Sequence, residues 1–133
     1  MRGWDEHVGE LQLWVEAATE PEVFAEALAA VSELLSEDSG PPPEPLEARE
    51  IKLEATDRAV LLADWIAELA FLAETDAFVP DRLEHIDLEG GSLRARVCGH
   101  LARPPHLVKA VTYHDLRFEP VPEGWRAQVV LDV

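Results

Sequence analysis

The sequence predicts an α+β fold in two layers, with two main helices packed on a mainly antiparallel β-sheet. Two stretches of apolar residues at helical spacing each follow a capping signal, single alternating segments precede both, and the last third of the chain alternates between turn signals. Residues 10–16 place Leu11, Leu13 and Val15 on one face and Gln12, Trp14 and Glu16 on the other, the pattern of a half-buried strand. Thr19-Glu20-Pro21-Glu22 then reads as a capping box with proline in the first turn, where its missing N–H costs little. The helix that follows carries Val23, Phe24, Ala27, Leu28, Val31, Leu34 and Leu35 on one stripe, with Glu22, Glu26 and Glu33 outside it.

Residues 36–45, SEDSGPPPEP, cannot continue a helix and offer no core residue, so they form a loop too short to divide two domains. Alternation resumes over 48–55 through Ile51 and Leu53, and Thr56-Asp57 supplies a cap and a first-turn acid for a second helix. Val60, Leu61, Trp65, Ile66, Leu69 and Leu72 give that helix a broad apolar face. Strands at 83–88 and 93–98 flank the turn Glu89-Gly90-Gly91-Ser92, and a second pair at 107–118 and 125–133 is separated by the Pro- and Gly-bearing residues 119–124. A chain of 133 residues, 47% of them hydrophobic, suffices for one domain spanning 1–133 with a real core.

Eleven Lys and Arg stand against 27 Asp and Glu, and the resulting charge of −16 repels a phosphate backbone, so direct nucleic-acid binding is not expected. The same charge suits cation binding or docking on a basic protein surface. Cys98 is the one cysteine, which rules out an internal disulfide; in an alternating strand it reads as a small buried hydrophobe rather than a reactive thiol. No signal-peptide pattern opens the sequence and no apolar run is long enough for a bilayer, so a cytoplasmic protein without membrane contact is expected. Trp65 and Trp125 read as core; Trp14, on the face opposite Leu11, is to be partly exposed or covered by another layer. A stacking platform for single-stranded RNA would also need a basic groove, which this composition lacks.

The sequence closes on Asp132 and Val133, so a side-chain carboxylate lies one residue from a terminal carboxylate at the tip of a strand, a pairing able to bind a hard cation. Around this end the chain resembles the archease family. The resemblance rests on Glu6-His7 followed by an acid at Glu10 and a strand, the helical segment LLADWIAELAFLAET, the segment VKAVTYH at 108–114 and the terminal GWRAQVVLDV, with the helix of 19–35 in the expected order. It implies a small, non-enzymatic cofactor protein that activates the GTP-dependent ligase joining RNA ends in tRNA splicing and RNA repair, promoting ligase guanylylation and multiple turnover while the ligase holds the RNA. It also implies a metal site at Glu10, Asp132 and Val133, the last through its main-chain carboxylate, with His7 as a supporting group or ligand. Oxygen ligands of this kind suit calcium or another hard divalent ion better than zinc. The family usually has Asp where this chain has Glu10, and the ARPPHL segment before VKAVTYH is shorter than in many relatives.

Each candidate has a plainer reading. A single acid is ordinarily a solvated surface group, and His7 and His114 lack a nucleophile motif or a phosphate-binding loop beside them, which favours structural or contact roles over catalysis. Lys109, Tyr113 and His114 are the candidates for a polar surface used on the ligase. Two competing functions remain: a small metal-dependent hydrolase built on His7, Glu10 and Asp132, which needs an open coordination position and an enclosed pocket, and an acidic chaperone-like binding module.

Overall fold

A computed structural model of the chain describes residues 1–36, 47–104 and 108–133. In chain order it contains β1 (Arg2–His7), β2 (Glu10–Ala17), α1 (Glu20–Ser36), β3 (Glu47–Glu54), α2 (Arg58–Asp76), β4 (Phe78–Glu89), β5 (Ser92–Leu101), β6 (Ala110–Val121) and β7 (Gly124–Asp132). The α+β class is as the sequence predicts, but the strands form two antiparallel sheets rather than one, in the orders β1-β2-β7-β6 and β3-β5-β4. Both helices touch both sheets: α1 lies against β2 and β4, and α2 against β6, β4 and β3. The predicted loop over 36–45 and the start of the predicted strand at Leu107 lie outside the described residues, apart from Ser36, which ends α1.

Local chemistry sets the helix starts. The Thr19 hydroxyl accepts the Glu22 amide at 3.3 Å, as the capping pattern requires, and the predicted stripe of α1 is buried at Val23, Phe24, Ala27, Leu28, Val31 and Leu35. For α2 the cap is Asp57, not Thr56: in extended backbone (φ −99°, ψ 128°) its carboxylate accepts the amides of Ala59 at 2.7 Å and Val60 at 3.3 Å. Asp57 is therefore the residue before the helix rather than its first-turn acid. Leu61, Leu62, Trp65, Ile66 and Leu69 of α2 are completely buried.

An aromatic relay joins helices to sheet. The Trp65 indole donates to the Phe24 carbonyl at 3.1 Å and meets the Phe24 ring edge-on, with centroids 6.2 Å apart. Phe24 in turn lies 6.0 Å from Phe118 on β6, and Phe118 lies 5.6 Å from Trp125 on β7. Trp14 is half-buried on the opposite face, its indole lying across Gly3 so closely that a Cβ there would fall 2.5 Å from Cζ2. That contact fastens β1, a strand the sequence did not announce, onto β2.

Truncating Trp65 removes a large, completely buried side chain and its hydrogen bond at once. Trp65→Ala is expected to lose about 3–5 kcal/mol of unfolding free energy in urea titration followed by circular dichroism. A loss below about 1 kcal/mol would show that the relay is not the core.

Candidate functional site

The strand register brings together residues far apart in sequence. Glu10 on β2 stands opposite His7 on β1 and opposite Asp132 on β7, while Asp132 stands opposite Ala110 on β6. Directly opposite residues of antiparallel strands share a face with Cβ atoms about 4.5–5.5 Å apart, so His7, Glu10 and Asp132 form a row across three strands. Leu13 and Val15 of β2 are buried on the other face, which turns this row outward: His7 and Glu10 are exposed and Asp132 is half-buried. The last residues are tied on both sides, the Val133 amide donating to the Gly9 carbonyl at 3.2 Å and the Lys109 amide to the Asp132 carbonyl at 2.9 Å. Val133 is thereby held against the β1–β2 turn, where Gly9 adopts φ +75°.

Two carboxylates facing one another on a sheet repel, and a cation between them relieves that repulsion. Among the described residues no group of three or more His, Cys, Asp or Glu side chains is disposed to hold a metal ion. Within the row, Glu10 and Asp132 are the directly opposed carboxylates. The donor set is all oxygen, which fits a hard divalent cation.

VKAVTYH, the second part of the predicted surface, runs from regular pairing at Ala110 to Thr112 into a bulge. Thr112 still pairs with Val130, but the next paired residue of β6 is Arg117, opposite Gln128, so residues 113–116 are extruded. Asp115 at its centre takes φ +57°, its carbonyl accepts the Gln128 side-chain amide at 3.0 Å, and the Thr112 hydroxyl accepts the His114 amide at 3.3 Å. His114 is exposed with its Nε2 3.1 Å from the Asp115 carboxylate, and Lys109 is exposed beside Asp132. Tyr113 is exposed, and its hydroxyl donates to Asp64 on α2 at 2.5 Å. That bond to a carboxylate, then partial burial and the Asp64 charge, push the Tyr113 pKa up.

Cys98 is buried, as its alternating context implies. Its thiol donates to Glu84 at 2.8 Å, and this bond, together with burial, raises the thiol pKa and disfavours the reactive thiolate. Two features had no sequence signal. His100, buried on β5, shares a 2.8 Å contact with Asp81, and Phe71 points outward from α2 with 55% of its surface exposed beside the start of β6. A helical apolar stripe does not reveal which of its edge positions stays uncovered.

The fold and this outward row define an acidic α+β protein whose candidate site stands on an open sheet surface. The chain matches the model described as Archease protein family (MTH1598/TM1083) over residues 5–133, and it belongs to the archease family. It is 34% identical over 137 residues to the protein archease of Methanosarcina acetivorans, covering 96% of this chain and 92% of that one. The protein archease of Thermococcus gammatolerans is 37% identical over 100 residues, 68% of this chain and 70% of that one. The solution structure of a Methanobacterium thermoautotrophicum protein shares the fold with a TM-score of 0.76 at 24% identity, covering 99% and 98% of the two chains. A crystal structure from Thermotoga maritima, described as an archease and possible chaperone, gives 0.67 at 23% identity over 100% and 98%. No helix among the described residues is long and apolar enough to cross a membrane.

Tyr113 is the sole tyrosine, so its ionisation can be followed by tyrosinate absorbance. Asp64→Asn removes the charged acceptor and is expected to lower the titration midpoint toward the ordinary tyrosine value; an unmoved midpoint would mean that the tether to α2 does not form in solution. Because the folded-state pKa is raised, the stability this bond contributes is complete below the ordinary tyrosine pKa and is lost as pH rises through the folded value.

Proposed function

We propose that this archease-family chain is a protein cofactor of a GTP-dependent RNA ligase of tRNA splicing and RNA repair, promoting ligase guanylylation and multiple turnover. A hard divalent cation, calcium foremost, is held at Glu10, Asp132 and the Val133 carboxylate. Bound there, the cation would supply positive charge between opposed carboxylates and a point at which partner oxygens could be gathered. The observation that carries the reading is the cross-strand pairing of Glu10 with Asp132 at the place where the family resemblance puts its metal site. Glu10 in place of the usual Asp adds one methylene on an exposed strand end, where the side chain has room to adjust.

The outward setting also bears on the competing hydrolase. Metal-assisted hydrolysis benefits from a site closed to bulk water, whereas His7 and Glu10 stand exposed on a sheet face. An exposed acidic row is better suited to meet a basic protein surface. The description of the Thermotoga relative as a possible chaperone is compatible with the wider reading, action on a partner protein's state, of which ligase activation is the specific form.

Purified wild type and Asp132→Ala, each added to a matched GTP-dependent RNA ligase, test the assignment through guanylylation and multiple-turnover joining. Wild type is expected to stimulate and Asp132→Ala to lose about tenfold or more of that stimulation. Equal stimulation would remove the site while keeping the partner. No stimulation by either, with phosphoester hydrolysis by the isolated chain, would favour the hydrolase.

A further inference from the structure

Beside the acidic row, a groove of about 180 Å³ runs between α2 and the start of β6, floored by Ala67, Ala70 and the exposed ring of Phe71. Its other wall is residues 108–111, four in succession, so main chain rather than one face of side chains forms it. Among the described residues β6 is the outer strand of its sheet, and Pro120 within it is tolerated for that reason. The Val133 amide donates to Gly9, just before β2, so the polar backbone groups of Asp132 face β6 and those of Ala110, directly opposite, face inward; the alternation of an antiparallel strand then directs the polar backbone groups of Val111 outward along the groove. An unpaired strand edge above an apolar floor is a template for adding an extended peptide.

The surroundings select the peptide. Glu74 lines the groove, α2 also carries Asp64, Glu68 and Asp76 against a single basic residue, Arg58, and the whole chain stands at −16. The complementary occupant is basic, with one apolar side chain to cover Phe71. The bulge at 113–116 ends regular pairing after Thr112, so the added strand is short. Lys109 belongs both to the groove wall and to the hydrogen bond on Asp132, so a segment lying here is delivered directly beside the Glu10–Asp132 row.

We infer that the groove between α2 and the outer edge of β6 docks a short, extended, basic segment of the ligase, its apolar side chain seated on Phe71 and its backbone paired with that of Val111. This inference rests on the ligase role proposed above.

Two substitutions test it, read by calorimetric titration of the GTP-dependent ligase into each protein alongside a thermal melt. Phe71→Lys puts a like charge on the floor at an exposed position that the core does not use, and Val111→Pro removes the outward amide at an edge where proline is admitted. Both are expected to weaken ligase binding about tenfold or more with the melting temperature close to wild type. If Val111→Pro melts early, Phe71→Lys alone decides. Wild-type affinity in both variants would overturn the docking groove and leave the ligase role standing. Failure of the wild type itself to bind or stimulate the ligase would overturn the ligase role, and the docking inference with it.

Discussion

The pairing of β2 with β7 is the constraint on which both core and site depend. Its register runs from Glu10 opposite Asp132 to Ala17 opposite Trp125. Slipping it by one residue would move either Leu13 and Val15 or Ala127, Val129 and Leu131 out of the interior and turn one of the two carboxylates inward. Hydrophobic burial therefore enforces a juxtaposition that electrostatics opposes, because the energy of the apolar face greatly exceeds the repulsion of two partly solvated charges. The acidic pair is held in place by residues on the other side of the sheet.

The same division of labour appears in α2. Its inner face carries Trp65 into the aromatic relay with Phe24, Phe118 and Trp125, while its outer face presents Asp64 to Tyr113 and Phe71 to the groove. Core packing fixes the helix relative to β6, and the Tyr113–Asp64 bond fixes the bulge relative to the helix. Acidic row, groove and bulge thus lie along the ends of β2, β7 and β6 as parts of one framework.

Much of this fold is legible because its signals are local. Thr19 and Glu22 announce α1, Gly90 and Gly91 announce the β4–β5 turn, and alternation announces β2 and β3. What stays hidden depends on partners distant in sequence. β1, RGWDEH, has no alternation to read and exists because Gly3 admits the Trp14 indole and because its backbone pairs with β2. α2 ends at Asp76 on Ala77, which holds φ +52° where glycine would have marked the stop, so the early start of β4 at Phe78 went unsignalled. β6 continues through Pro120 to Val121 because an outer strand can spare an amide, where the sequence suggested a longer connection. The division into two sheets is a property of long-range pairing alone.

The candidate site was legible to a different degree. Resemblance named Glu10, Asp132 and Val133, but the pairing of Glu10 with Asp132 and the tie of Val133 to Gly9 follow only from the strand register and long-range hydrogen bonds. Tyr113, a candidate for the polar contact surface, is hydrogen-bonded to Asp64, an interaction across 49 positions with no local pattern. The central claim is that the opposed carboxylates hold a cation, and calorimetric titration of calcium into wild type and Asp132→Asn tests it most directly. One saturable site per wild-type chain, weakened about tenfold or more by Asp132→Asn, is the predicted result. Identical binding by the two proteins, or none by either, would contradict it.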